Sequence, residues 1–365
     1  MYRSKIQISI IFLLLSLVIN AQVLESDFSN SFSRYGFRFY TGKIVAHAKD
    51  VENTSGSVPY ALELEYSKRH TGLKTWNLCR CYPTTGFVFA YKNYDNKILG
   101  YGFHLSYFVQ YHLLQNTRIS PAIRGTGGIE YNSNPYHKIN NPDNQSYSMH
   151  INFYLQIALN FDIRINELLF ADVSLGFNHI SNGGSKAPNR GINWPSIGAG
   201  IHYSPDFSPI KNRTEVLPES ASDKKWIKRM EIYFSRISET FDEKERFMIY
   251  GSEFLIGRSP NNLNLILAGA EWNLDMSSKR RIEYYEYDDN PHRFSVLSGH
   301  EFIMGSFGFS QKIGVYLYDN LKLNSLWYHK WGINYKHKSN AIIGVEVKVH
   351  RHVAEFVSFK IGFQI

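Results

Sequence analysis

The residues VSFKIGFQI at the C-terminal end of the chain alternate strictly between apolar and polar or small side chains. Val357, Phe359, Ile361, Phe363 and Ile365 share one face, because successive side chains of a strand point to opposite faces. A strand with one fully apolar face is typical of a barrel that closes inside a membrane, where closure leaves no unpaired edge.

The same alternation recurs along most of the chain, with Asn, Asp, Gly and Pro in the gaps, as turns require. About 12 to 16 strands, in an even number, are expected because membrane barrels are even-numbered. The first eight runs cover residues 37–48, 58–67, 84–94, 98–114, 118–131, 148–165, 168–181 and 192–203. Eight more cover residues 228–239, 246–258, 262–275, 281–288, 299–318, 324–337, 341–350 and 354–365.

These runs predict an all-β protein, an antiparallel transmembrane outer-membrane β-barrel. Aromatic residues make up 15% of the chain, which suits strands that face lipid and water in turn. A soluble β-sandwich or a secreted barrel is the alternative. The strands after residue 228 could widen the first barrel or form a second one, and we expect a single larger barrel.

Residues 1–21 resemble a secretory signal peptide, with Arg3 and Lys5 before an apolar run and a small residue at Ala21. An N-terminal membrane anchor is the alternative, although the run is short for a spanning helix. Residues 22–205 would then hold the first group of strands, 206–227 a polar linker or loop, and 228–365 the additional strands. Export of such a chain predicts a location in the bacterial outer membrane.

The formal charge of +8 is spread over apparent loops rather than along one stripe, which argues against nucleic-acid binding. Anionic lipid or lipopolysaccharide phosphates are the more plausible partners of an exported basic protein. Cys79 and Cys81 would lie on one face of a strand, where a bridge is strained, so we expect two small side chains. No phosphate loop, zinc motif or dinucleotide fingerprint occurs, so neither a cofactor nor a metal is expected.

The stretch GFNHISNGGSKAPNRGINWP, starting at residue 176, contains the candidate chemistry. His179 and Ser181 follow Val173, Leu175 and Phe177 on the apolar, lipid-facing side of a strand. If the hairpin is symmetric about residue 186, Asn193 lies across from His179.

This order suits a nucleophile, a base and an orienting group. A serine hydroxyl needs a base to take its proton, and histidine titrates in the right range. An asparagine can hold the imidazole, although without the charge of a carboxylate. A backbone N–H of Gly183 or Gly184 and the side chain of Asn189 could form an oxyanion hole. A plain polar rim at the membrane interface explains the same residues without catalysis.

The motif NHISNGGSKAPNRGIN resembles the signature of the PagL-like outer-membrane lipid A 3-O-deacylases, also labelled acyloxyacyl hydrolases. Supporting pieces are CYPTTGFVFAY, ILGYGF and GTGGIEY, and the resemblance covers about residues 35 to 205. The long chain is similar to the form common in Bacteroidetes. The resemblance implies an eight-stranded barrel with a lipid-facing site that removes an ester-linked acyl chain from lipid A.

Carried over, the resemblance implies Ser181 as nucleophile, His179 as base, and Gly184 and Asn189 as oxyanion or substrate-binding residues. The third catalytic position falls on Asn193, where the family has glutamate. Asp172 does not replace that acid, because it points to the lumen of the predicted barrel.

Two principal functions therefore remain. The first is a serine-histidine esterase acting on lipid A or another outer-leaflet glycolipid. The second is a non-catalytic barrel, such as a channel, transporter or surface-binding protein, with a decayed deacylase site. A passive structural barrel is a third option. Hydrogen-bonded His179 and Ser181 outside the barrel would favour the enzyme, whereas an open, charged lumen would favour a channel. The oligomeric state does not follow from the sequence.

Overall fold

The computed structural model describes residues 31–210, 226–237 and 246–365, except residues 80, 116, 262, 285, 287–289, 305, 320–324 and 352. The predicted signal peptide lies outside the described residues, as does most of the predicted linker. The described chain is all-β and forms two closed, antiparallel, eight-stranded barrels.

The first barrel contains β1 to β8: Ser31–Gly42, Tyr60–His70, Thr84–Asn93, Tyr101–His112, Ile119–Asn132, Ile151–Arg164, Leu169–Ser181 and Ile192–Tyr203. The second contains β9 to β16: Trp226–Ile237, Phe247–Asn261, Asn264–Asp275, His292–Met304, Phe307–Tyr318, Trp327–Lys336, Ala341–His350 and Val353–Gln364. Two α-helices are described, α1 (Leu73–Cys79) and α2 (Met276–Tyr284), and a 3-10 helix spans Lys49–Thr54. Within the described ranges, these helices are too short or too polar to cross a bilayer.

The expectation of a single larger barrel is wrong. Strand β1 pairs with β8, with Tyr35 opposite Tyr203, and this pairing closes the first ring. Strand β16 pairs with β9, with Phe359 opposite Phe234, and closes the second ring. The alternation of apolar and polar residues predicts strands, but it does not predict which strands pair to close a barrel, because the outward faces of all the strands are similarly apolar.

Three segments differ from the sequence-based prediction. Residues 281–284 of the run 281–288 lie in helix α2 instead of a strand, and the run 299–318 covers the end of β12 and all of β13. The first strand spans Ser31–Gly42 rather than 37–48, so that residues 43–48 lie in the β1–β2 connection. This last shift brings His47 to the site described below.

Cys79 and Cys81 form a disulfide, which corrects the expectation of two unbonded side chains. The expectation assumed a strand, but Cys79 is the last residue of helix α1. The Cα atoms of Cys79 and Cys81 lie 5.1 Å apart, within the usual range for a bridge.

The interior of the first barrel is filled by buried ion pairs. Arg38 lies 2.5 Å from Asp172, Arg124 lies 2.7 Å from Glu65, and a third pair joins Arg34 to Asp162. Small eight-stranded barrels have interiors just wide enough to be filled by side chains. The described lumen is therefore packed rather than open.

The second barrel is filled in the same way, and here lysine–glutamate pairs predominate. Lys330 contacts Glu253 and lies 3.1 Å from Glu271, while Lys360 lies 3.0 Å from Glu231. Lys312 joins Glu346 at 2.8 Å. Opposite charges thus alternate across the lumen and hold the inner faces of distant strands together.

Replacing Arg38 with Met is expected to lower the free energy of unfolding by about 3–5 kcal/mol, because Asp172 loses its buried cation. Urea unfolding of the refolded protein in detergent, followed by tryptophan fluorescence, measures the change. Lys97→Met serves as the matched control, because Lys97 is exposed in the β3–β4 connection. Equal stability of the two variants would contradict the role assigned to the interior ion pairs.

Candidate active site

The hairpin of β7 and β8 positions the three predicted catalytic residues. His179 on β7 lies directly opposite Asn193 on β8, as the symmetric hairpin predicted. Ser181 ends β7, two residues beyond His179 and on the same face. The strand period of β7 and the register between β7 and β8 together place all three side chains on one side of the sheet.

The three side chains are hydrogen-bonded in a row. His179 Nε2 lies 2.9 Å from Ser181 Oγ, and His179 Nδ1 lies 2.6 Å from Asn193 Oδ1. Ser181 is 8% exposed, while His179 and Asn193 are half-buried. These distances are those of a nucleophile, a base and an orienting group.

The row lies on the outer wall of the barrel. Leu175 and Phe177, which share its face, are about half exposed, at 52% and 49%. Asp172 faces the lumen, where it is bound by Arg38 and lies 2.5 Å from His202. Asp172 therefore does not supply the missing carboxylate.

The β7–β8 connection carries the predicted oxyanion residues Gly184 and Asn189. The Asn189 side-chain oxygen accepts a hydrogen bond of 2.7 Å from the backbone N–H of Asn182, the residue after Ser181. The Asn182 side chain in turn donates to the Lys186 carbonyl at 2.6 Å. Asn189 is thus close to the candidate nucleophile, and Asn182, which the sequence analysis did not single out, fixes the loop.

Three glycines of this segment adopt the left-handed backbone region. Gly183 and Gly184 have φ of 65° and 78°, and Gly191 has φ of 74°. At Gly191 a Cβ atom would lie 2.9 Å from His179 Cε1, closer than real Cβ contacts. A side chain at Gly191 would therefore press on the candidate base.

His47 is a site residue that the sequence analysis missed. Its Nδ1 lies 3.1 Å from Asn193 Nδ2, and its Nε2 lies 2.8 Å from the Arg190 carbonyl. The sequence predicts a strand over residues 37–48, and a histidine within a strand gives no sign of a contact with a distant loop. In the structure, residues 43–48 instead lie in the β1–β2 connection. Asp50, three residues beyond His47, binds the Arg190 guanidinium at 2.6 Å.

The second barrel contacts the site loop. A Cβ atom at Gly183 would lie 2.3 Å from Cγ2 of Val357, on β16. Arg246, just before β10, donates a hydrogen bond of 2.8 Å to the Ser185 carbonyl. The loop that follows Ser181 is thus held between the two barrels, and the C-terminal half helps to shape the candidate site.

Among the described residues, no group of three or more His, Cys, Asp or Glu side chains is placed to hold a metal ion.

Two models of known protein families match this chain. The model "Lipid A 3-O-deacylase (PagL)" matches residues 60–203, and "Acyloxyacyl hydrolase, C-terminal domain" matches residues 228–365. No curated protein matches the chain.

Among solved structures, the chain is similar to the outer-membrane enzyme PagL, with 18% identity and a TM-score of 0.35 over 45% of this chain and 97% of that one. It is also similar to Neisserial surface protein A, with 8% identity and a TM-score of 0.32 over 48% and 99%. A Rhodopseudomonas blastica porin mutant shows 6% identity and a TM-score of 0.18 over 92% and 100%.

Paired cysteines at positions 185 and 246 are expected to cross-link within one chain through a short bismaleimide, because Arg246 contacts the Ser185 carbonyl. A mobility shift of the denatured protein measures the reaction. A control pair at positions 97 and 246 is expected not to cross-link, since the β3–β4 connection lies across the ring from β7. Equal cross-linking of both pairs would argue against the contact between the site loop and the second barrel.

Proposed function

Because the chain belongs to the lipid A 3-O-deacylase (PagL) family, we propose that it is an esterase that removes an ester-linked acyl chain from lipid A or a related glycolipid. The protein is a bacterial outer-membrane β-barrel. The observation that carries the proposal is the hydrogen-bonded row of Ser181, His179 and Asn193 on the outer wall, at the end of an apolar strand face. A lipid substrate reaches this wall from the membrane, whereas it would not reach a triad inside a filled lumen.

In the proposed reaction, Ser181 Oγ attacks the ester carbonyl while His179 Nε2 takes the hydroxyl proton. The negative charge that develops on the carbonyl oxygen is stabilised by N–H donors of the loop, for which Gly184 and Asn189 are the candidates. His179 then returns the proton to the departing sugar oxygen, which leaves an acyl group on Ser181. Water, activated by His179, releases the fatty acid and restores the serine.

Lysines near the site suit a substrate that carries phosphate groups. Lys43 is exposed at the start of the β1–β2 connection, and Lys186 is half-buried in the β7–β8 connection. Lysine ammonium groups bind phosphate as point charges. These residues would hold the head group while the acyl chain lies along the apolar wall.

Asn193 sets the efficiency of the proposed enzyme. Its carbonyl oxygen orients the imidazole but does not neutralise the imidazolium that forms during attack. Replacing the charged orienter of a serine protease with its amide costs about 10⁴ in turnover. A slow esterase is therefore expected from this arrangement.

Asn193 also favours the second candidate, a non-catalytic barrel with a decayed site. The channel or transporter form of that alternative is weakened by the interior ion pairs, such as Arg38 with Asp172 and Lys330 with Glu271, which fill the described lumens. A surface-binding protein that retains the hairpin as a scaffold remains the competing form.

Expression in an outer membrane, followed by mass spectrometry of lipid A, tests the proposal. Wild type is expected to remove one acyl chain and Ser181→Ala none, because loss of the nucleophile of a serine protease costs on the order of 10⁶ in turnover. Ser174→Ala is the matched control, since Ser174 lies on the same strand but faces the lumen. Deacylation by Ser181→Ala would exclude Ser181 as the nucleophile.

Asn193→Glu is expected to raise the rate of deacylation by up to about 10⁴, because the carboxylate stabilises the imidazolium. Asn193→Gln, which has the same length without the charge, is expected not to raise it. The same lipid A assay, followed over time, compares the three proteins. If wild type and Asn193→Glu are both inactive, the esterase proposal is wrong for this lipid.

A further inference from the structure

We infer that His47 is a positioning residue that fixes the direction of the Asn193 amide, and that it thereby selects the tautomer of His179 able to accept the Ser181 proton. The inference deepens the proposed function and rests on it. It follows from donor and acceptor roles along one chain of hydrogen bonds, which runs from the Arg190 carbonyl to Ser181.

The chain begins at a group whose role is unambiguous. The Arg190 carbonyl can only accept, so the His47 Nε2 that lies 2.8 Å from it donates. A neutral imidazole carries one N–H, so His47 Nδ1 is then an acceptor. The Asn193 Nδ2, 3.1 Å away, donates to this Nδ1.

The direction of the amide now decides the state of His179. With Nδ2 turned to His47, the Asn193 oxygen faces His179 Nδ1 at 2.6 Å and can only accept. His179 therefore carries its proton on Nδ1, which leaves Nε2 with a lone pair toward Ser181 Oγ, 2.9 Å away. This tautomer is the one that general-base catalysis requires.

The reversed amide gives the opposite result. If Asn193 Nδ2 faced His179, Nδ1 of His179 would have to accept, and the proton would move to Nε2. A protonated Nε2 can donate to Ser181 but cannot take its proton. One rotation of the Asn193 amide thus separates a competent base from an incompetent one.

A carboxylate at position 193 would have no such ambiguity, because both of its oxygens accept. The need for His47 therefore arises from the asparagine. Neighbouring contacts hold the anchor in place: the Arg190 N–H donates to the Gln145 carbonyl at 3.1 Å, and the Arg190 side chain pairs with Asp50. Val45 N–H donates to the Asn193 carbonyl at 2.9 Å, which fixes the β1–β2 connection against β8.

The tautomer can be measured without any substrate. ¹⁵N-histidine NMR of the full chain in detergent distinguishes a protonated Nδ1 from a protonated Nε2, and the His179 signals are assigned by their loss in His179→Asn. Wild type is expected to show Nδ1–H. His47→Ala is expected to show a mixture, since a neutral hydrogen bond biases such an equilibrium by roughly 2- to 12-fold.

Two further variants separate positioning from packing. In Asn193→Asp, His47→Ala is expected to leave His179 as Nδ1–H, because a carboxylate cannot present a donor. His137→Ala, in the exposed β5–β6 connection at the same end of the barrel, is expected to leave the wild-type tautomer unchanged. Heat-modifiable gel migration verifies that each variant is folded.

Pure Nδ1–H in His47→Ala would overturn the inference, as would a mixture that appears equally in the Asn193→Asp background. The lipid A assay adds an independent arm, in which His47→Ala lowers kcat without raising KM in the wild-type background and has no effect in the Asn193→Asp background. A tautomer shift without any deacylation in wild type would support the role of His47 and reject the esterase. Deacylation by wild type, with no change of the His179 tautomer in His47→Ala, would support the esterase and reject the role of His47.

Discussion

The core of a bilayer offers no water to a free backbone N–H or C=O group, so each strand of a spanning sheet must be paired on both edges. Both halves of this chain meet that constraint by closing eight strands upon themselves. Closure at eight strands has a second consequence, because the interior becomes narrow enough to be filled by side chains. The polar faces of the described strands therefore pack into the two interiors, and the proposed reaction on a lipid is assigned to the outer wall.

The two interiors meet this demand with buried charge. Arg38 with Asp172 in the first barrel, and Lys330 with Glu271 in the second, pair residues that are far apart in sequence. Removing one partner leaves a buried, unpaired charge, which is costly, so each member of a pair depends on the other. The hairpin of β7 and β8 is part of this closed ring, and at its end His179 lies within hydrogen-bond distance of both Ser181 and Asn193.

The candidate site depends on contacts of three kinds. The β7–β8 register brings His179 opposite Asn193, the β1–β2 connection brings His47 behind Asn193, and the second barrel bounds the loop after Ser181. The strand register aligns the side chains, His47 sets the direction of the Asn193 amide, and the second barrel limits the shape of the loop. The asparagine in place of a carboxylate makes the second constraint more important than it would be in a site with an acid.

The sequence by itself determined most of the strands, their alternation and the outward face of His179 and Ser181, because these follow from the period of two along a strand. It also predicted Asn193 opposite His179 for a hairpin symmetric about residue 186, and the structure has that register. Only the tertiary structure decided that β8 returns to β1 rather than pairing onward, since all outward faces have the same apolar texture. It alone placed His47 beside Asn193 and Val357 beside Gly183, because these contacts join residues far apart in the chain through loops that carry no periodic signal.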